Sequence, residues 1–285
     1  ELRPHPGVVP RRFRSAGGAQ FQPNGSHYPA TRMRPVVAEW LRKSNPLAEL
    51  GEACVKRGLT LRGWNVCTHS SVTAARYPAH TTKDVFGVAS PTWLCPSNPD
   101  VREYLRSMVD DLSRNYPFEA IELERPTFPT DLHAHSHDKV GFPCGLSGEW
   151  LQSLCFCESC RQVAQRDGVD VGSAAAVVAR SLEKMLTYGQ PLAQTISELV
   201  DAEPVLAAYA GWRRDQITLL IKLIKSSCSC RLVVQRSGCP YWAATDFTRI
   251  AQFCDALLVV FYNPDLSKMN EVVRAAAGEM GGIER

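Results

Sequence analysis

The chain has 285 residues, enough for one large domain or two small ones with a sizeable core. Its 32 basic and 29 acidic residues leave a net charge of only +3, which excludes the clustered basic excess of a nucleic-acid-binding surface. The longest apolar run, "ALLVVFY" at 256–262, is strand length, well short of the roughly 18 residues of a membrane-spanning helix.

The N-terminal run "RPHPGVVPRRFR" holds a local group of arginines and reads as a solvated loop. No secretory signal is visible, and the chain opens on Glu1. A first strand is expected at "GAQFQ". The segment "SNPLAELGEACVKRGLTLRGWNV" then reads as helix followed by strand. Asn45 can cap the helix, Pro46 suits its first turn and Gly58 its stop. Leu47, Leu50 and Cys54 are spaced three and four apart and are expected to form its buried face. The same grammar returns in "SNPDVREYLRSMVDDLSRNYPFEAIELE". Here Asn98 caps, Pro99 starts, Val101, Leu105, Met108 and Leu112 make the apolar stripe, and Pro117 breaks the helix before the strand "AIELE". A long helix at about 204–226 runs into "RLVVQ", "TDFTRIAQF" runs into "ALLVVFY", and a last helix covers "SKMNEVVRAAAG".

Helices alternating with strands imply an α/β fold with a parallel sheet covered on both faces. The candidates are a (β/α)8 barrel and a doubly wound sheet. No Gly-x-Gly-x-x-Gly follows a strand, which weakens a dinucleotide-binding reading. The expectation is a single TIM-type barrel domain over residues 1–285, incomplete at its ends, since about five strands are legible. Its rhythm breaks at 125–203, read as a long insertion after the barrel's fourth strand that carries the Cys- and His-rich segments.

Eleven cysteines, an odd number in a long chain, do not form a secreted disulfide framework and point to a reducing, cytoplasmic setting. Three of them crowd into "LCFCESC": Cys155, Cys157 and Cys160. The spacing suits three thiolates aimed at one tetrahedral zinc, with the fourth ligand from Cys95 in "WLCPSNPD" or from Cys144. Plain thiols, or a redox pair at Cys157 and Cys160, are the other readings.

The run "CPSNPDVREYL", then a strand carrying glutamate, then "CFCESCR" resembles the family 42 β-galactosidases. The resemblance covers about residues 94–165. It implies a (β/α)8 barrel, a structural zinc held by Cys95, Cys155, Cys157 and Cys160, and acid/base chemistry from the fourth strand. The chain departs from that family's Asn-Glu, because its strand reads "AIELERP". In this it is similar to glycosyl-hydrolase-like barrels whose strand reads Gly-Ile-His-Leu-Asp followed by Arg and Pro, with Glu124 at the Asp position. It also resembles a group of actinobacterial barrel proteins with "LCFC" motifs. In barrels of this clan the nucleophile lies on the seventh strand, which is expected beyond "AAAGEMGGIER".

In "AIELE" alternation places Glu122 and Glu124 on one face, opposite Ile121 and Leu123. Burying two carboxylates is costly, so the pair reads as acid/base machinery, against the alternative of an ion pair with Arg125. Glu124, nearer the strand's carboxyl end, is expected to be the principal acid, with Glu122 tuning it. By parity, Arg125 is expected on the other face. "DLHAHSHDK" sets His133, His135 and His137 at every second position, as substrate contacts, loop filler or metal ligands. His69, closing "GWNVCTHS", is a further substrate-side candidate. Trp64 and Trp93 could stack on a sugar or be buried. Gln235 with Arg236, and Tyr262 with Asn263, end strands where barrels place substrate groups.

The function expected is a glycosidase acting on a small carbohydrate substrate by carboxylate catalysis, with no nucleic-acid or membrane partner and a homo-oligomer left open. The alternatives are a metal-dependent hydrolase or lyase using the three histidines, and a non-catalytic carbohydrate-binding barrel.

Overall fold

The computed structural model describes residues 17–41, 43–129, 144–236, 240–260 and 268–279. The first part of the chain runs α1 (Pro46–Lys56), β1 (Leu61–Val66), α2 (Ser71–Arg76), β2 (Thr81–Lys83), β3 (Ala89–Leu94), α3 (Pro99–Asn115) and β4 (Phe118–Glu124). Then come α4 (Gly145–Ser153), α5 (Glu158–Arg166), α6 (Val171–Tyr188), α7 (Ile196–Ala202) and α8 (Pro204–Lys225). The last described elements are β5 (Arg231–Arg236), α9 (Pro240–Ala243), α10 (Phe247–Ile250), β6 (Ala256–Val259) and α11 (Met269–Glu279).

Four parallel strands form the main sheet in the order β1-β4-β5-β6, and β2 pairs with β3 in a separate antiparallel ribbon. The order follows the chain without reversal, as in an arc of a barrel, whereas a doubly wound sheet reverses at a switch point. The arc does not close among the described residues, because β1 and β6 are both edges. The described strands thus give a parallel α/β sheet, and a closed barrel is not formed by them. The strand expected at "GAQFQ" is reduced to one parallel bridge, Ala19 with Val37. Its backbone bonds go to Val36 and Ala38 instead of to β1.

Both "SNP" starts form as read. The Asn45 side chain accepts from the Ala48 amide, and the Asn98 side chain from the Asp100 and Val101 amides. Each cap is worth about 1 kcal/mol. Gly58 takes φ +64° just past α1, in the left-handed region where glycine is unstrained. The α3 stripe is buried throughout: Val101 and Leu105 are fully covered, and Met108 and Leu112 are nearly so. It packs with Ile121 and Leu123 of β4 and the inner face of α8 in one core. The expected α1 stripe is only partly buried, with Leu50 half exposed. Its strand, β1, is a sheet edge, so α1 lacks a second strand to rest on. The described part of the excursion after residue 143 is largely helical, and α6 and α7 pack on α8.

Gly51, in the middle of α1, is where that helix comes closest to the core. A Cβ there would lie 2.8 Å from Pro117 Cδ and 2.9 Å from Pro117 Cγ. Glycine to alanine in a helix interior normally stabilises by about 1 kcal/mol. Here the added methyl meets a rigid ring, and overpacking of this kind costs about 1–3 kcal/mol. Gly51→Ala is therefore expected to lower the melting temperature, as read by thermal unfolding; a rise would show that Pro117 yields freely.

Candidate active site and thiolate centre

The carboxyl half of β4 carries the paired glutamates. Register aligns Trp64 with Glu122 and Val66 with Glu124 on β1, and Glu122 with Val233 on β5. Aligned residues of parallel strands share a face. One face of the sheet therefore carries Trp64, Val66, Glu122, Glu124, Val233 and Gln235, and the other carries Ile121, Leu123, Leu232 and Val234. The second face is the core, where Ile121 and Leu123 are fully buried. On the first, Trp64 is 68% exposed and both glutamates are half-buried. The two carboxylates thus face away from the helices that cover the core.

Gln235 donates through Nε2 to Glu122 Oε1 at 3.4 Å. Burial, then the nearby Glu124 charge, raises the Glu122 pKa above its ordinary value. The shifted member of the pair is thus the deeper glutamate, whereas position along the strand had pointed to Glu124. Arg236 ends the same strand, but alternation sets it on the face opposite Gln235.

Arg125 does not continue the strand. It takes φ +49°, a left-handed conformation that costs a non-glycine residue about 1–2 kcal/mol. The turn brings its Nε to 3.7 Å from Glu124 Oε1 and its guanidinium over the Trp93 ring at 5.5 Å. The parity expectation holds only for extended backbone; the chain turns at once after Glu124, so Arg125 reaches its carboxylate. The turn is held from below. The Arg125 carbonyl accepts from the Thr68 amide at 3.2 Å and lies 2.7 Å from Thr68 Oγ1, which is also 2.7 Å from the Thr127 carbonyl. Net hydrogen-bond contributions of about 0.5–1.5 kcal/mol each offset the strain.

His69 lies beyond the end of β1 and bridges to Trp93, with the two rings 4.8 Å apart. Trp93 is buried and Trp64 is exposed, so the two tryptophans divide between the two fates foreseen for them. His69 and Trp64 also line a cavity of about 700 Å³ beside the free edge of β1, with Phe21, Tyr104 and Met108 among its walls; neither glutamate lines it. His133, His135, His137, Tyr262 and Asn263 lie outside the described residues.

The second constellation is the cysteine cluster. Cys95, Cys155, Cys157 and Cys160 are all buried, with their sulfurs within 4.8 Å of one another. Cys95 Sγ is 3.5 Å from Cys160 Sγ, 3.5 Å from Cys157 Sγ and 4.0 Å from Cys155 Sγ. Four sulfurs about 2.3 Å from a central zinc would be separated by about 3.8 Å, so the cluster fits a tetrahedral ion. Cys95 follows β3, and its amide bonds to the His80 carbonyl. Cys157 caps α5, and Cys160 sits in its first turn. Burial pushes the Cys95 and Cys160 thiols up, while hydrogen bonds from Cys155 and Cys160 pull Cys157 down. Cys144, the alternative fourth ligand, is half-buried at the start of α4 and accepts from Gln152 instead.

The backbone around the cluster is fixed from three sides. Asn98 Nδ2 donates to Ser159 Oγ at 3.0 Å, Arg161 Nε to the Phe156 carbonyl at 3.0 Å, and the Tyr209 hydroxyl to the Cys155 carbonyl. Tyr209 stacks between Phe156 and Trp212. One turn along α8, Arg213 is fully buried, with its guanidinium 4.5 Å over Phe128 and its Nη2 3.4 Å from the Trp242 carbonyl. Desolvation lowers its pKa, against the opposing pull of Tyr209 and the cluster's sulfurs. Sequence reading missed Arg213, because an arginine in "AGWRRDQ" looks like any solvated helix charge.

No family model and no curated protein sequence matches the chain. Among solved structures it is similar to a polyextremophilic β-galactosidase from the Antarctic haloarchaeon Halorubrum lacusprofundi. The identity is 13% and the TM-score 0.45, over 79% of this chain and 34% of that one. It is also similar to a GH20 exo-β-N-acetylglucosaminidase from Vibrio harveyi, at 10% identity and a TM-score of 0.28, over 83% of this chain and 40% of that one. The chain therefore spans between a third and two fifths of the length of these neighbours. No described helix is long and apolar enough to cross a membrane.

The raised Glu122 pKa fixes the sign of a pH effect. Above the ordinary carboxyl value of 4.5 the folded chain holds this proton more tightly than the unfolded chain, so its contribution to stability falls as pH rises. Glu122→Gln removes that loss. The variant should be at least as stable as wild type at neutral pH, with the difference vanishing below pH 4.5, where the glutamate is protonated in both states. Parallel melting curves across that range test it; a variant less stable at pH 7 than at pH 4, relative to wild type, would contradict the assigned shift.

Proposed function

We propose that the chain is a glycosidase-type enzyme acting on a small carbohydrate or glycoside, with Glu122 and Glu124 as its carboxylate pair and a structural zinc on the four cysteines. One observation carries this reading. Two glutamates project from the carboxyl end of one parallel strand onto the face opposite the core of Ile121 and Leu123, and the deeper of them has a raised pKa. Parallel-sheet enzymes build their sites at that end of the strands.

The roles follow from position. Glu122, desolvated and donated to by Gln235, keeps its proton to higher pH and protonates the leaving oxygen. Glu124, nearer the mouth and beside Arg125, is the carboxylate facing the developing positive charge on the sugar. Trp64, exposed at the register of Glu122, offers a flat apolar surface to a sugar ring. His69, Tyr262, Asn263 and the segment with His133, His135 and His137 are the proposed surrounding substrate contacts, and Arg236, on the opposite face, is not among them. The zinc closes a fully thiolate shell with no open position for water, so its part is to fix the loops and not to react.

Purified protein tested on a panel of aryl glycosides should hydrolyse at least one; no hydrolysis of any member would sink the reading. On the substrate found, Glu122→Gln and Glu124→Gln should each lower turnover by about 10²–10⁴-fold. A leaving group that needs no protonation should restore part of the loss in Glu122→Gln only. Wild-type rates in both variants would refute the assignment.

Elemental analysis should find one zinc per chain in the protein as isolated. Cys157→Ser should lose the metal and melt at a lower temperature, while a triple substitution of His133, His135 and His137 should keep it. Full zinc retention in Cys157→Ser would overturn the site.

A further inference from the structure

The short turn between α8 and β5 reads "SSCSC", and it brings Cys228 Sγ to 3.8 Å from Cys230 Sγ. Both thiols are half-buried and neither is in a disulfide. They lie at the amino end of β5, at the opposite end of the parallel sheet from Glu122 and Glu124. Nothing in the proposed carboxylate chemistry or the zinc centre uses them.

The turn is anchored on both sides. The Ser229 amide donates to Ser113 Oγ at 3.1 Å, and Ser229 Oγ donates to the Ser113 carbonyl at 2.8 Å. Arg106 Nη1 donates to Ser227 Oγ at 2.7 Å. Lys225 and Arg231 flank the pair in sequence, and Asp255 holds both Lys225 Nζ and the Leu232 amide. The two sulfurs are therefore close because their backbone is fixed. Arg231 Nη1 in turn pairs with Glu119 at 2.9 Å, and partial exposure with a lysine nearby is a setting in which thiols react.

We propose that Cys228 and Cys230 form a thiol–disulfide exchange site for low-molecular-weight disulfides of the glutathione type. Cys228 is the attacking sulfur. The Cys230 thiol beside it, with Lys225 nearby, outweighs burial and the Asp255 charge and brings its pKa to about 7, while Cys230 is pushed up. An attacking thiol with a pKa near ambient pH combines thiolate fraction with nucleophilicity best.

The steps balance. The Cys228 thiolate attacks one sulfur of the small disulfide, whose S–S bond breaks. One small thiolate leaves and takes up a proton, and Cys228 is left in a mixed disulfide. Cys230 then gives up its proton and attacks the Cys228 sulfur, expelling the second small thiol. Two protein thiols are oxidised to one disulfide, and the small disulfide is reduced to two thiols. Closure needs the sulfurs to move from 3.8 Å to about 2.0 Å, within reach of side-chain rotation in so short a turn. The reverse reaction restores the dithiol.

The test uses intact protein equilibrated with glutathione and glutathione disulfide over a range of ratios, acid-quenched, digested with trypsin and analysed by mass spectrometry. Cleavage after Lys225 and Arg231 releases SSCSCR, which contains both thiols and no others. Cys54, a half-buried cysteine on α1, is the internal control. SSCSCR should lose two hydrogens at ratios that leave Cys54 mostly unmodified. Cys230→Ser should stop at the mixed disulfide, with one glutathione on the peptide. Cys228→Ser should take up glutathione at least tenfold more slowly than Cys230→Ser.

The proposal is overturned if the wild-type peptide stays a dithiol where Cys54 is already modified, or if it carries two glutathiones in place of an internal disulfide. Equal rates in the two variants would overturn the assignment of Cys228 as the attacking sulfur. The wild-type readout needs no substitution, so a misfolded variant leaves the test intact. It is also independent of glycoside hydrolysis, so the failure of one does not imply the failure of the other.

Discussion

The two-residue repeat of β4 is the constraint on which the rest of the structure hangs. Ile121 and Leu123 are fully buried in the core shared with α3 and α8. Because side chains alternate, seating those two residues leaves Glu122 and Glu124 no choice of face. A one-residue slip would drive both carboxylates into an apolar core, at a cost of several kcal/mol each. Packing and chemistry are thus set by the same register. The neighbouring strands inherit it, with Trp64 and Val233 brought level with Glu122.

What happens just past the strand is decided by a local strain and its compensation. Arg125 leaves the extended conformation, and Thr68 binds its carbonyl. That turn brings a guanidinium to Glu124 and over Trp93, and the Trp93 ring packs at a tilt against His69. The end of β1, the β3 segment and the end of β4 are thereby tied into one rim. The same β3 segment leads directly into Cys95, so the thiolate centre and the rim share a support. A metal at the four cysteines would hold the start of α3 to the start of α5, on which the excursion after β4 depends. Tyr209 and the buried Arg213 extend that anchorage into α8.

Local signals in the chain carried a long way. The paired "SNP" starts, the α3 stripe, the glycine stop at Gly58 and the face shared by Glu122 and Glu124 all depend on neighbours a few residues apart, and periodicity records such neighbours directly. The tight spacing of Cys155, Cys157 and Cys160 is likewise local, and the resemblance through "CPSNPD" pointed to Cys95 as the fourth member, which the fold brings to the cluster. The α1 stripe misled because periodicity marks a face without saying how much structure is available to cover it.

By itself, then, the sequence determined the two capped helices and the strands after them, which strand carries paired carboxylates, and the local trio Cys155, Cys157 and Cys160, since each follows from short-range geometry. The tertiary structure alone decided the order of the described strands, the partners of Glu122 and Arg213, and the raised pKa of Glu122. Gln235 meets Glu122 across 113 residues, Arg213 meets Phe128 from the segment after β4 and Trp242 from α9, and Arg125 turns left-handed where Thr68, 57 residues earlier, accommodates its carbonyl. Such relations arise from strand pairing and layer packing between remote segments, and no periodicity within a segment encodes which remote segment will arrive.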